Sequence, residues 1–529
     1  MENTFSNDSR QFKFDVLVAL CRSASKGEVD EDEIQAYAHN LVSLSSPRVR
    51  CCVYKEREVL RQRVRLAMGK NASEEGEHAK EQIVQVIDAA CDGCTIKKVR
   101  VTDNCRKCMA KSCMAACRFG AMHMGVYHSE IDYKLCKECG ACARACPYNA
   151  IVITERPCYA HCPVQAIGWD ENNLCKIDEK KCINCGACEN ACPFGAIEDK
   201  SMVLPVMNHI REGKRVYAIV APSIQGQFEN TSLAQVMKAV ELIGFKECVE
   251  VAGAADAVAV TEYKELKEHK EAGVPLTTSC CPAFVNMLRI HFPQVYENNK
   301  SSTLSPMQAC AKKIKADDPD CVVAFIGPCI AKKSEVLSSD LCDYAITYEE
   351  LAAMFIAKGI NPADVEVSPL EKYASNYGRN FAHSGGVAAA VVQAAKEAGD
   401  PVAYNAVIAN GGFECKKQLL LMKVGKFNGD ILEGMNCEGG CIAGPACMTD
   451  AATVRGRMTK ENLQTDKKTI EQSVELFDMK DFDIEIKKNA LITVDTVHGY
   501  CLSEAYGKEI KLKRAEMGSS ARSICCKRR

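Results

Sequence analysis

The sequence predicts an α/β domain of parallel sheets flanked by helices. A small α+β region rich in thiols precedes it, and a helical N-terminal region comes first. Three observations carry this reading. From about residue 203 onward, apolar strand-like runs alternate with helical runs. Between residues 91 and 200 a short cysteine-bearing unit repeats. Residues 1–88 are polar, with apolar positions recurring at helical spacing.

The N-terminal helices are read from FDVLVALC and EREVLRQRVRLAM, which the stretch SSPRVRCCVYKE interrupts. Cys51 and Cys52 lie in that interruption without companions and read as packing or surface thiols. The fragments CRFGAM (117–122), CPYNAI (146–151), CPVQAI (162–167) and CPFGAI (192–197) are four versions of one half-unit, so residues 89–202 form a repeat region. Beyond it, RVYAIVAPS, CVVAFIGPC and YNAVIANGG alternate with LAQVMKAVELIG and GGVAAAVVQAAKEAG. That alternation predicts parallel strands covered by helices over residues 203–450. Residues 451–529 are left as a C-terminal extension with a basic tail, SSARSICCKRR, whose Cys525 and Cys526 receive no role.

A net charge of −2 over 529 residues argues against nucleic-acid binding and against a polybasic membrane patch. No run of about 18 apolar residues predicts a membrane span. The N-terminus MENTFSNDSRQFKF has no signal-peptide pattern, so a cytoplasmic location is expected.

The 34 cysteines are the anomaly, and seventeen of them fall between Cys91 and Cys192. In a long chain without a secretion signal, this density points to metal thiolates rather than disulfides. Cys136-x2-Cys139-x2-Cys142-x3-Cys146-Pro and Cys182-x2-Cys185-x2-Cys188-x3-Cys192-Pro have the bacterial ferredoxin spacing. In that pattern three thiolates wrap one cubane and the fourth crosses to its neighbour. Zinc also uses CxxC pairs, but four cysteines at these spacings, followed by Pro and Ala-Ile, favour cubanes. Cys105-x2-Cys108-x4-Cys113-x3-Cys117 is a looser variant, Cys158-x3-Cys162-Pro keeps only the end of the unit, and Cys91-x2-Cys94 stands apart.

With Cys175 set aside, these runs supply sixteen thiolates, enough for four cubanes. The crossing rule suggests one consistent pairing. Cys105, Cys108 and Cys113 join Cys146; Cys136, Cys139 and Cys142 join Cys117; Cys182, Cys185 and Cys188 join Cys162. Cys91, Cys94, Cys158 and Cys192 are left as the fourth set by arithmetic, with a structural zinc site or fewer clusters as the alternative. Such a chain of cubanes conducts electrons and does no substrate chemistry by itself.

Three segments of the α/β region each place cysteine in a turn after an apolar run: TTSCCPAF (277–284), FIGPCIAKKSE (325–335) and EGMNCEGGCIAG (433–444). Strand C-terminal ends in parallel sheets gather ligand-binding loops, so Cys281, Cys329, Cys437 and Cys441 could converge on a fifth cubane.

The three loops resemble the signature loops of the [FeFe]-hydrogenases, and the preceding cysteine runs fit that family too. The resemblance covers roughly residues 90–450. It implies an iron-only hydrogenase large-subunit-like fold behind ferredoxin-like iron–sulfur domains, with about four accessory [4Fe–4S] clusters. It also implies an active site joining one more cubane to a di-iron unit with CO, cyanide and dithiolate amine ligands. The implied reaction interconverts protons, electrons and H2. A ferredoxin or flavodoxin-like electron carrier and H-cluster maturation proteins would be the partners. Carried over by motif, Cys281, Cys329, Cys437 and Cys441 look like cubane ligands, Cys441 also bridging to the di-iron unit. Lys332 looks like the donor to a cyanide and Met435 like the apolar contact, while Ala221, Pro222 and Ser223 resemble a pocket wall. Cys280, left free beside Cys281, looks like the proton-carrying thiol, continued by Glu262, Glu265 and Ser301. Glu335 reads as an ordinary helix partner of Lys332.

The chain departs from the usual loops. Phe284 replaces Trp, Gly327 replaces Met, and GPACM with Cys447 replaces the glycine run with Gln-Pro. These changes resemble the group B branch. Rival readings are an iron–sulfur scaffold that lacks the di-iron unit and an H2 sensor. Cys280 and Lys332, which only a di-iron site needs, favour the enzyme.

Overall fold

The computed structural model describes residues 7–27, 52–73, 82–94, 97–368, 374–463 and 468–486, with isolated positions at 5, 29, 32, 35, 36 and 47. Cys51, Cys501, Cys525 and Cys526 lie outside the described residues. Cys52 caps the helix Val53–Ala67, its sulfur accepting the Lys55 N–H at 3.4 Å. One compact unit runs through Ile484, and the segment from Glu485 onward lies almost wholly outside the described residues.

The thiol-rich region contains strands β1 (Val84–Val86), β2 (Val99–Val101), β3 (Met122–Met124), β4 (Ser129–Ile131), β5 (Ile151–Ile153), β6 (Ile167–Trp169), β7 (Cys175–Ile177) and β8 (Ile197–Asp199). Their pairing separates two ferredoxin-type folds of the same plan. In one, β2 pairs antiparallel with β5 and encloses the hairpin β3–β4. In the other, β1 pairs with β8 and encloses the hairpin β6–β7. The first is inserted whole into the second, after Cys94 and before the helix Pro157–Ala160. Its two ends meet, the Thr154 N–H donating to the Lys98 carbonyl at 2.7 Å. The host fold therefore starts at β1, ahead of the boundary drawn at residue 89.

The repeated half-unit has a physical basis in this plan. The N–H of the alanine in each Cys-Pro-x-x-Ala bonds the cysteine sulfur: Ala150 to Cys146 at 3.4 Å, Ala166 to Cys162 at 3.2 Å and Ala196 to Cys192 at 3.4 Å. The isoleucine that follows opens a strand each time. One residue turns the chain back toward the thiol and the next enters the sheet.

The α/β region has two parallel sheets. Strands β9 (Val216–Val220), β10 (Glu247–Glu250), β12 (Val322–Ile326) and β13 (Tyr344–Ile346) form one in the order β10-β9-β12-β13. Strands β11 (Leu276–Thr277), β14 (Ala406–Asn410) and β15 (Ile431–Met435) form the other in the order β11-β15-β14. The long helix Val251–Glu271 packs on β11 and on helices Pro306–Asp317 and Gly386–Glu397. The helix Ile470–Leu476 also packs on it, and the ring of Phe477 lies against Gly253. The compact unit thus continues past 450, because this last helix completes the covering of the core.

The N-terminal helix Asp8–Lys26 packs on helix Tyr348–Lys358 of the α/β region. A buried ionic network fixes the join. Lys13 contacts Glu189 at 2.7 Å and Asp199 at 2.8 Å, and Lys333 contacts Asp199 at 2.6 Å and Glu350 at 3.0 Å. Burial opposes ionisation of Asp199, but the charges of Lys13 and Lys333 win and hold its carboxyl below the usual range. Removing one partner of such a buried pair costs about 3–5 kcal/mol, because the other charge is stranded.

Candidate functional site

The C-terminal ends of β9, β11, β12 and β15 supply Ala221–Ser223, Thr278–Cys281, Gly327–Cys329 and Asn436–Cys441. This is where parallel sheets present ligand-binding loops. Gly439 and Gly440 both have positive φ, +95° and +93°, so the chain reverses between Cys437 and Cys441. A Cβ at Gly440 would stand 2.5 Å from the Ala382 carbonyl oxygen, so the turn is seated directly on that backbone.

The four cysteines converge. Cys437 feels the charges of Cys281, Cys329 and Cys441; Cys329 feels those of Cys281 and Cys441; Cys441 feels that of Cys281. Burial pushes all four thiols up, Cys441 to about 12. Four thiolates packed together out of water require a compensating cation. Metal binding supplies it and displaces the protons, so the set fits a [4Fe–4S] cubane.

Lys332, only 8% exposed, lies beside them. It donates to Ser305 Oγ at 3.2 Å and to Glu335 Oε2 at 2.7 Å, which uses two of its three N–H donors. Glu335 is its i+3 helix partner, as expected, but it also accepts from the Ser305 hydroxyl, so the pair is anchored on a second element. The apolar wall consists of Met435 at 3% exposure and Phe284 at 0%, with the Phe284 ring packed flat on Gly434. Ala221 is buried there as well, and Pro222 opens a short helical turn. Ser223 is buried with its hydroxyl bonded to Tyr348 at 2.7 Å, so its polar group faces the core.

Cys280 shares the turn with Cys281. Burial raises its thiol well above the ordinary value, with Glu262 adding to the rise and Lys332 opposing it. Glu262 is fully buried and accepts from both the N–H and the hydroxyl of Ser279 at 3.1 Å on Oε1. Its Oε2 has no partner. Burial, then the charge of Glu265 one helical turn on, raises this carboxyl to about 7. Glu265 accepts from the hydroxyls of Ser301 and Ser302, from the Ser302 N–H at 2.8 Å and from Thr303 Oγ1 at 3.2 Å. Cys280 thus feels the charge of Glu262, Glu262 that of Glu265, and Glu265 accepts from Ser301.

The accessory thiols fall into sets. Cys188 is coupled to Cys182, Cys185 and Cys162, and Cys142 to Cys136 and Cys117. Cys192 is coupled to Cys158 and Cys91, and Cys94 to the same two. Cys105 and Cys113 both reach the Ser129 hydroxyl at 3.7 Å, and Cys146 packs in the same small core as Cys113. Cys108 is half-buried on the loop after Cys105, and Cys139 is exposed. Among the described residues no three His, Cys, Asp or Glu side chains close around a single-ion position.

Three residues escaped the sequence reading. Cys175, set aside there, bonds Cys158 through its thiol and donates its N–H to Cys91 Sγ at 3.3 Å. It stands seven residues before Cys182, as Ser129 stands seven before Cys136, so it is the host fold's counterpart of that serine. Asn436 donates its N–H to Cys281 and its side chain to Cys185, linking the four converging thiols to the set that contains Cys185. Phe325 lies under Gly327, where a Cβ would meet its ring at 2.5 Å, and its ring is 5.8 Å from Lys332 Nζ. It fills the space that a side chain at 327 would need. The strand period places residues 325 and 327 on one face, so this packing was readable from FIGPC. The extra Cys447 donates its thiol to the carbonyls of Ile442 at 3.2 Å and Cys441 at 3.5 Å.

Residues 214–445 match the family described as iron only hydrogenase large subunit, C-terminal domain. Residues 129–152 and 175–198 match the 4Fe-4S binding domain. The chain is similar to iron hydrogenase 1 of Clostridium pasteurianum, 26% identical over 288 residues, 44% of this chain and 50% of that protein. It is also similar to the periplasmic [Fe] hydrogenase large subunit of Nitratidesulfovibrio vulgaris, 26% identical over 303 residues, 47% of this chain and 72% of that protein. The chain thus spans half the length of the first of these relatives. Among solved structures, an [FeFe]-hydrogenase studied for oxygen inactivation of its H cluster is 21% identical with a TM-score of 0.43, covering 51% of this chain and 90% of that one. An apo [FeFe]-hydrogenase from Chlamydomonas reinhardtii is 23% identical with a TM-score of 0.42, covering 51% and 91%.

Proposed function

We propose that this chain, in which the C-terminal domain of an iron-only hydrogenase large subunit lies behind 4Fe-4S ferredoxin domains, is an [FeFe]-hydrogenase of the group B type. The observation that carries the reading is the convergence of Cys281, Cys329, Cys437 and Cys441 beside Lys332 and Cys280. Cys281, Cys329, Cys437 and Cys441 would hold a [4Fe–4S] cubane, and Cys441 would also help hold a di-iron unit with CO, cyanide and dithiolate amine ligands. That unit supplies the chemistry that interconverts two protons and two electrons with H2.

The remaining work belongs to the protein's own residues. Lys332 keeps one N–H donor for an anionic ligand such as cyanide, a charge-assisted hydrogen bond. Met435, Phe284 and Phe325 exclude water. The Cys280 thiol holds a proton at the pocket edge and exchanges it with the bare Glu262 Oε2, and Glu265 and Ser301 carry it onward. A carboxyl near pH 7 suits this task, because transfer is efficient between groups that titrate close to working pH. Asn436 touches both Cys281 and Cys185, so it would link the catalytic thiol set to the set of Cys162, Cys182, Cys185 and Cys188, through which the accessory sets would supply electrons. No helix among the described residues is long and apolar enough to cross a membrane, and a cytoplasmic location is proposed with the activity.

Infrared spectra of the matured protein test the reading. CO and cyanide stretches are expected in a window where protein is silent, and their absence would favour the scaffold alternative. A second test counts the clusters. Anaerobically reconstituted protein, before di-iron insertion, is expected to hold about five cubanes by iron and sulfide assay, one per thiol set. Two or three would remove the Cys91/Cys94/Cys158/Cys192 set first.

A further inference from the structure

The charge of the chain is unevenly shared between its two ferredoxin-type folds. The inserted fold, residues 97–156, has eleven Lys and Arg against five Asp and Glu, a net of +6 in a chain of net −2. The host fold, residues 82–96 and 157–202, has four basic and nine acidic residues, a net of −5. Three of those acids, Glu189, Glu198 and Asp199, are held in internal ion pairs with Lys13, Arg63 and Lys333, so the contrast at the surface rests on the exposed cations of the inserted fold.

The positive charge gathers around an apolar point. The loop after Cys105 carries Arg106, Lys107 and Lys111, all exposed, against the single carboxylate Asp103. Met109 on that loop is 97% exposed, and Val126 and Tyr127 at the tip of the hairpin β3–β4 are 76% and 84% exposed. Lys107 Nζ donates to the Val126 carbonyl at 2.7 Å, which ties loop and hairpin tip into one face. Three large apolar side chains rimmed by cations have the anatomy of a protein interface, with an apolar centre and a charged edge. The thiols of Cys105 and Cys108 lie on the same loop, so the face covers a cluster site.

We propose that this face docks an acidic protein that carries a one-electron redox group near its own surface. Electrons enter or leave through the cubane of Cys105, Cys108, Cys113 and Cys146. Each encounter moves one electron: in the uptake direction the carrier's group is oxidised by one electron and the cubane is reduced by one, and the reverse holds for the other direction. The proposal rests on the ferredoxin-type assignment of the thiol sets and deepens it by naming the entry point and the charge of the partner.

The test uses the full chain reconstituted with cubanes alone, so it does not depend on H2 turnover. Stopped-flow bleaching of the cubanes by an acidic reduced [2Fe–2S] ferredoxin is followed at low and high salt. Methyl viologen radical, a small cation, is the comparison donor. The ferredoxin rate constant is expected to fall steeply as the screening length shrinks from about 10 Å at 0.1 M to about 3 Å at 1 M. The double variant Arg106→Glu/Lys111→Glu is expected to lower it about tenfold or more through lost steering. Tyr127→Ser, away from the ligand loop, should lower it severalfold. Iron content and the dithionite-reduced spectrum should stay at wild-type values in both variants, and the viologen rate should not fall. A salt-independent ferredoxin rate, wild-type rates in both variants, or equal slowing with viologen would overturn the proposal. So would displacement of the ferredoxin by duplex DNA, or burial of the face in self-association through the acidic host fold.

Discussion

Cys441→Ala is expected to reduce H2 turnover to background while the accessory cubanes stay reducible. The residue follows the Gly439–Gly440 reversal, which holds it opposite Cys281, Cys329 and Cys437. Alanine leaves the backbone turn intact and removes the sulfur proposed to face the di-iron unit. The accessory sets use other thiols on other elements, so electron paramagnetic resonance of the dithionite-reduced variant should keep their signals. Iron content should fall by no more than the catalytic cubane and the di-iron unit. Substantial H2 turnover in this variant would show that the four-thiol convergence has another purpose.

The second large effect concerns protons. Cys280→Ala should retain its iron and its CO and cyanide bands yet lose about two to four orders of magnitude in turnover, the usual weight of a positioned acid–base group. Cys280 is no cubane ligand in this reading, so its loss should leave the clusters alone. Cys280→Asp restores a titratable group within reach of the Glu262 charge and should recover part of the rate. Near-normal turnover in the alanine variant would mean that protons reach the pocket by another route, and Glu262 would then be a structural acid anchored on Ser279.

Much of this architecture was legible because its causes are local. The Cys-x2-Cys-x2-Cys-x3-Cys-Pro spacing is set by how a short loop wraps a cubane, and the strand-then-cysteine pattern by where parallel sheets put their loops. Lys332 and Cys280 were legible through the resemblance of their loops. What escaped depends on distant parts of the chain. Cys175 carries no CxxC companion, and only the register of β7 against the host fold places it beside Cys158 and Cys91. Asn436 looks like an ordinary loop amide until Cys185 arrives from the ferredoxin region. The N-terminal helix read as polar and idle, because Lys13 acquires meaning only where Asp199 and Glu189 meet it. The extension past 450 carried no motif, yet its last helix covers the long helix that bears Glu262 and Glu265.

The nesting of one ferredoxin-type fold inside the other also bears on how the protein is made. During synthesis Cys91 and Cys94 leave the ribosome well before Cys158, and the whole inserted fold must emerge between them. An unfolded insert would be a long flexible loop to close, and closure entropy grows with loop length. A folded insert, whose ends are pinned together at Lys98 and Thr154, shortens that loop to a few residues at either side. The order of emergence thus favours the inserted fold acquiring its clusters first and then delivering the two halves of the host site to each other. On this account the inserted module also acts as the internal chaperone of the module that encloses it.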